Sequence, residues 1–435
     1  MDQAEGHVPG TSSGGEVAAG YEPVRTVFED SLALFGRGGG GFAAYVDGVK
    51  VVDVWGGFAA PGTPWRRDTL AVVMSATKGM ATLCAQILND RGLLDVEATV
   101  ASIWPEFAHN GKERILVRHV LTHTSGVLGF GAHRPPLQWD GTGWDDYDAI
   151  AAGFAAAPAL WEPGTRFGYH ALSYGWLVGE MVRRITGSTI GTFFHHQVAQ
   201  PLGLGCFIGT PPERQSDVAS LVVDLAREAP LVLRLFLGPV QRKMRDPRTL
   251  LGQAFVADGT ASVMDHGPEL FNSGHLVGVE VPAGNGTAAA RDLARMYAVM
   301  SMNGALDGVR VLSEDSVERF ARQQIAMRDV CLDEIALPGL RRRMSPVVRR
   351  TLGYLMNPSF PGSSHTFGPN LDSYGHDGAG GQIAFCDREN RVAVGFVRSA
   401  SSSSSKFSDR LIAALYECAG RGEGHQARRR RAVAR

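Results

Sequence analysis

The 435-residue sequence predicts an α/β fold whose sheet is assembled from both chain ends, flanked by helices and interrupted by a helical insert. Three observations carry this. Near the N-terminus, "GFAAYVDGVKVVDVWGGFA" reads as two strands joined at Asp47 and Gly48. Near the C-terminus, "SYGHDGAGGQIAFCDRENRVAVGFVRS" holds apolar runs separated by the turn residues Asp387 to Asn390, and the helical pattern "SDRLIAALYECAG" follows. Between them the signals are mainly helical, broken at Pro163, Gly164, Pro201 and Pro211. A functional site is then expected at the seam.

In chain order, residues 1–21 read as a disordered polar leader, and 22–36 carry helical periodicity before the hairpin. A long amphipathic helix is expected to begin near Ser75, run through "KGMATLCAQILNDRG" and stop at Gly92. Residues 22–100 and 286–420 are assigned to the sheet portion and 101–285 to the helical portion. Residues 331–350, "CLDEIALPGLRRRMSPVVRR", read as an irregular basic loop, and 421–435 as a disordered basic tail.

Composition narrows the function. With 44% hydrophobic and 20% charged residues the chain reads as globular, and a formal net charge of -1 gives no case for nucleic acid. The start has neither a basic stretch nor an apolar core, so the expectation is no secretory signal and a cytoplasmic protein. Cys84, Cys206, Cys331, Cys386 and Cys418 lack CxxC spacing and read as reduced thiols. The most apolar long stretch, "SLVVDLAREAPLVLRLFLGPV", is interrupted by Asp224, Arg227, Glu228, Pro230 and Arg234 and is not expected to span a bilayer. The basic tail leaves room for peripheral contact with an anionic membrane.

The chemistry centres on "AVVMSATKGM", residues 71–80, where Ser75 and Lys78 interrupt an apolar run. Three apart on a helix, they face one space, and a desolvated amine beside a hydroxyl can activate it as a nucleophile. The plain alternative is a capping serine with a snorkelling lysine. Two competing motifs are set aside: "GTSSG" (Gly10 to Gly14) lacks the strand and helix a nucleophile elbow needs, and Ser403 with Lys406 falls in a serine run. His119 and His123 stand four apart, but Val120 occupies the position where a zinc protease carries glutamate, so no metal is expected. No cofactor motif is visible.

Further elements follow in order: "VRHVLTHTSGV" with His119 to Gly126, "WEPGTRFGYHALSYGWLVGEMVRRITG" with Pro163, Gly164 and Tyr169, "GNGTAAARDLARMYAVM", "LGYLMN" and "YGHDGAGG". With the S-x-x-K at Ser75, this series resembles the serine β-lactamase and penicillin-binding-protein superfamily, and within it the class C-like, family VIII-type esterases. The likeness runs over residues 22 to 420. It implies a β-lactamase-like fold with an antiparallel sheet, an acyl-enzyme on Ser75, and Lys78 and Tyr169 as its proton carriers. It also implies an oxyanion hole from the backbone N–H groups of Ser75 and Ala379, each worth about 3 kcal/mol at the transition state.

Two departures bear on substrate. Ala171 stands where β-lactamases and peptidases of this superfamily carry an amide-binding asparagine. His376, in H-x-G through Gly378, stands at the K-T-G position, and a neutral imidazole there gives no fixed cation for a substrate carboxylate. His376, Gly378 and Ala171 are therefore assigned to substrate binding, and the expected substrate is a small neutral carboxylic ester. Acyl transfer to an alcohol, weak β-lactamase or D-peptidase activity, and an inactive binding protein are the alternatives; the oligomeric state is left open.

Overall fold

The structure, a computed structural model, describes residues 13–32, 38–223, 231–334, 347–357, 367–401 and 406–420. The main sheet takes β1 (Ser13–Val17), β2 (Gly39–Val46) and β3 (Val49–Ala60) from the first part of the chain. From the last part it takes β4 (Ile325–Arg328), β5 (Val347–Arg350), β6 (Leu355–Met356), β7 (Tyr374–Gly378), β8 (Gln382–Asp387) and β9 (Val392–Arg398). Their order is β1-β3-β2-β9-β8-β7-β6-β5-β4, with every neighbouring pair antiparallel. The two chain ends meet at β2 and β9, where Val46 pairs with Val392 and Gly40 with Arg398. At the hairpin, Asp47 and Gly48 have φ of 52° and 79°, the left-handed pair that a type I′ turn requires.

Helices cover both faces. On one, α1 (Glu22–Leu32) and the C-terminal helix Lys406–Cys418 bury Val24, Phe28, Phe407, Leu411 and Leu415 against Phe385, Val394 and Phe396. On the other lie α2 (Thr77–Asp90), α3 (Ser173–Thr186) and α4 (Ala290–Ser301), which share the larger core. Helix α2 is buried from Thr77 to Leu88, because it sits between the sheet and α3. Helix α4 crosses β9 at Gly395, where an added Cβ would stand 2.2 Å from the Ala290 carbonyl oxygen. Among the described residues no helix is long and apolar enough to cross a membrane.

Two expectations are corrected. The leader is not disordered throughout: Ser13–Val17 forms the edge strand β1, pairing Ser13 with Gly56 and Val17 with Val52. Its sequence, SGGEV, has little intrinsic strand preference, and the exposed edge of β3 supplies the order. Residues 1–12 lie outside the described residues. The stretch 331–350 is likewise not a loop throughout, since Val330–Asp333 is helical and Val347–Arg350 is β5, with Arg350 buried. Residues 335–346, the basic tail and Ser403 lie outside the described residues.

Candidate active site

Ser75 lies in the single 3-10 turn Met74–Ala76 that leads into α2. The turn is held tightly. Met74 has φ of 50°, a conformation that a side chain rarely adopts. The Val73 N–H donates to the Gly286 carbonyl (2.8 Å), the Thr77 hydroxyl donates to the Met74 carbonyl (2.6 Å), and the Gly286 N–H donates back to Thr77 (2.9 Å). These bonds from the 281–287 segment fix a strained backbone immediately before the half-buried serine.

Lys78 follows on the first turn of α2, fully buried. Its Nζ is 3.1 Å from Ser75 Oγ, and it donates to the carbonyls of Ala171 (2.7 Å) and Ala283 (2.9 Å). Burial first, and then the charge of Arg350, push the amine well below the ordinary lysine range, while Asp377 acts in the opposite sense. The half-buried Tyr169 faces Ser75, and its ring lies under Lys78 Nζ, 4.9 Å from the centroid. Burial raises the phenol's pKa, so it stays protonated at neutral pH.

Tyr169 is set by a short loop rather than a regular element. The Gly164 N–H donates to the Thr124 carbonyl (2.9 Å) and the Gly168 N–H to that of His123 (3.2 Å), so this loop lies along the T-H-T-S segment. The His123 ring stacks on Tyr169 at 5.4 Å and on Tyr174 at 4.7 Å, and its Nδ1 accepts the His170 N–H (3.0 Å). From the other side, Asp329 accepts the Tyr169 N–H (3.4 Å) and that of Cys331 (2.8 Å); burial pushes its carboxyl up to about 6. His119 serves elsewhere, its Nδ1 accepting the Leu116 N–H (3.2 Å) at the start of the helix Val117–Leu121. Among the described residues no group of three His, Cys, Asp or Glu is disposed to hold a metal.

Strand β7 closes the site. Gly378 abuts the nucleophile's turn, with an added Cβ standing 2.4 Å from the Val73 oxygen and 3.1 Å from Met74 Cβ. Ala379 is exposed in the hairpin turn that follows. His376 is only 1% exposed and its ring lies 6.3 Å from that of Tyr169. Its Nδ1 donates to the Asp377 carbonyl (2.7 Å), which fixes the tautomer. Burial, then Arg350 and Lys78, hold its pKa well below the usual histidine value, so the ring is neutral at pH 7.

Ser75, Lys78, Tyr169, Ala171, His376 and Gly378 thus come together around one point, and Ala379 borders it. Two contributors were not singled out in the sequence, the Ala283 carbonyl and Arg350, while His123, weighed there with His119 for a metal, is instead the ring stacked on two tyrosines. A carbonyl has no sequence signal, and an arginine within "VVRR" looks like a surface residue.

A Beta-lactamase family model matches residues 24–417. The chain is 34% identical over 368 residues to "Esterase/beta-lactamase LipL" from Mycobacterium tuberculosis, a likeness covering 83% of this chain and 76% of that one. Among solved structures, a family VIII carboxylesterase superposes with a TM-score of 0.76 at 29% identity, covering 94% of this chain and 100% of the other. EstA from Arthrobacter nitroguajacolicus gives 0.75 at 28%, covering 94% and 99%.

Proposed function

The chain belongs to the beta-lactamase family, and from that premise we propose that it is a serine carboxylesterase that cleaves small neutral esters through an acyl-enzyme on Ser75. The observation that carries the reading is the set of partners around Lys78 Nζ. Two carbonyls take its donors, and the remaining direction meets Ser75 Oγ at 3.1 Å. A neutral amine has two N–H donors and one lone pair, so in this setting the lone pair faces the serine hydroxyl. Lys78 then accepts the Ser75 proton as Oγ attacks the ester carbonyl. Negative charge develops on the carbonyl oxygen, which we assign to the N–H groups of Ser75 and Ala379.

Collapse of the tetrahedral intermediate expels an alkoxide, which needs a proton. The Tyr169 phenol is protonated and lies beside Ser75 and Lys78, so it delivers its proton to the departing alkoxide and recovers one from the Lys78 ammonium. Water enters where the alcohol left and the same groups run in reverse, freeing the acid. The preference for uncharged substrates follows from the lining. The Ala171 side chain offers no amide contact, and its carbonyl is already engaged by Lys78. His376 adds a neutral ring beside Tyr169, with Gly378 allowing close approach of the strand. Names such as esterase and carboxylesterase among the similar proteins support this reaction class.

The test is hydrolysis of p-nitrophenyl butyrate by purified protein and by Ser75→Ala, with nitrocefin as the β-lactam comparison. The parent should cleave the ester and favour it over nitrocefin, and the alanine variant should be inactive yet folded. Ester cleavage undiminished in Ser75→Ala would remove the serine from the reaction. For the basic tail we propose a dispensable surface tether in a cytoplasmic protein. Truncation after residue 420 should leave ester hydrolysis unchanged and release the protein from anionic vesicles, whereas lost activity would contradict it.

A further inference from the structure

Arg350 is a buried arginine that the reaction above does not use. It is the last residue of β5, paired through Leu355 on β6 to Gly375 on β7, which places it two strands from the His376 strand. Its side chain is 1% exposed. Among the described residues its guanidinium pairs with no carboxylate; Nη2 donates to the Gly353 carbonyl (2.9 Å), and Nε is buried without a partner. A buried charge of this kind is ordinarily neutralised by an ion partner.

Its position connects it to the nucleophile. The Gly353 carbonyl that accepts Arg350 also accepts the Thr82 hydroxyl (3.2 Å), and Thr82 shares a 2.5 Å hydrogen bond with Tyr174. Thr82 is one turn beyond Lys78 on the same face of α2. Tyr174 stacks on His123, which stacks on Tyr169. The guanidinium therefore sits at the inner end of one buried column whose outer end is the Ser75 and Lys78 pair. The groups facing Lys78 from the elements around it are Tyr169, His123 and His170 from the loops, Tyr174 on α3, His376 and Asp377 on β7, and Arg350 on β5; Asp329 lies behind Tyr169. Arginine keeps its charge throughout. The histidines are buried and uncharged at neutral pH, with His170 down to about 4, so Arg350 is the persistent positive charge and Asp377 its principal opponent at Lys78.

We propose that Arg350 is a positioning residue for the proposed hydrolysis: its buried guanidinium, sharing the Gly353 carbonyl with Thr82 one turn beyond Lys78, adds to burial in favouring the uncharged amine that accepts the Ser75 proton. The inference rests on the serine esterase reading. It gives the charge that His376 does not supply a source on a different strand, out of reach of substrate.

The experiment is the pH dependence of kcat/KM for p-nitrophenyl butyrate with the parent, Arg350→Gln and Asp377→Asn, folding being checked by circular dichroism and thermal melting. The acid limb reports the base of the free enzyme. Glutamine can still donate to Gly353 but carries no charge, so Lys78 should be harder to deprotonate. The acid limb of Arg350→Gln should move to higher pH by about one unit or more, with activity recovering toward the parent at high pH. An acid limb left in place, with activity lowered equally at all pH values, would make Arg350 purely structural and overturn the proposal. If Arg350→Gln fails to fold, Asp377→Asn decides. Removing the opposing carboxylate should move the limb to lower pH, and an unmoved limb or one moved upward overturns the proposal. An organophosphonate adduct on Ser75 in the parent is read separately. Its absence would defeat the esterase reading itself, whereas its presence with unmoved limbs would defeat only the role of Arg350.

Discussion

In the proposed reaction Lys78 and Tyr169 act on one proton, so their substitutions should not behave independently. Lys78→Ala and Tyr169→Phe should each lower kcat for ester hydrolysis by roughly 10²–10⁴-fold, and the double variant should be little worse than the poorer single one. Additive losses, measured on the same ester, would separate their roles. The buried histidines give a second check. With His376 and His123 held well below the ordinary histidine pKa, nitrogen chemical shifts should report both rings as neutral at pH 6, His376 with its proton on Nδ1. A protonated His376 at that pH would place a cation beside Tyr169 and undo the argument for uncharged esters. Burial also determines what a lysine would do at position 376. At 1% exposure, with Lys78 and Arg350 acting on the same spot, it would be a buried charge crowded by two other cations, with the Asp377 carboxylate, 3.6 Å from the present Nδ1, as counter-charge. His376→Lys should therefore cost about 3 kcal/mol of stability, read in a denaturant melt. Unchanged stability with faster nitrocefin cleavage would show that the position faces substrate instead.

At the scale of elements, the site depends on two backbones held close together. Strand β7 reaches the turn before Ser75 only because residue 378 lacks a side chain. Gly378→Ala should push the strand away from the turn and carry Ala379 with it. A displacement of about 1 Å is enough for a loss on the order of 10²-fold in kcat, with KM much less affected. If steady-state kinetics show an unchanged kcat, β7 has no part in aligning the oxyanion donors. The turn itself was only partly legible. "AVVMSATKGM" showed where the nucleophile stands, because two polar residues interrupt an apolar run, but the left-handed φ at Met74 and the clamp from Gly286 arise from tertiary contact. Likewise, the P-G and tyrosine spacing singled out Tyr169. The stacking of His123 between Tyr169 and Tyr174 joins residues that no helical or strand period connects.

For the whole molecule, a sheet drawn from both chain ends means that the site's parts converge from distant sequence: Ser75 on the turn before α2, Lys78 on α2, Tyr169 and Ala171 on a central loop, Ala283 beyond it and His376 on β7. Hairpins and amphipathic helices showed this plan in the sequence because their periodicities are local. Short outer strands escaped it. SGGEV at the sheet edge and VVRR, one strand in from the opposite edge, are too short and too polar to announce themselves, and each gains its order from neighbours, β3 for the first and β4 and β6 for the second. Because β1 lies at the sheet edge, far along the sheet order from β7, deleting residues 1–17 should lower the melting temperature by a few degrees and leave kcat unchanged; a matching loss of kcat would tie the leader to the site. The central claim is that ester cleavage passes through a covalent intermediate on the serine that Lys78 faces. Rapid acid quenching of the enzyme during turnover of p-nitrophenyl butyrate, followed by peptide mass mapping, tests it most directly. The account predicts a butyryl group on Ser75 that is absent in Ser75→Ala; turnover with an acyl group on another residue, or with none at all in quenched enzyme and none when an organophosphonate is offered, would contradict it.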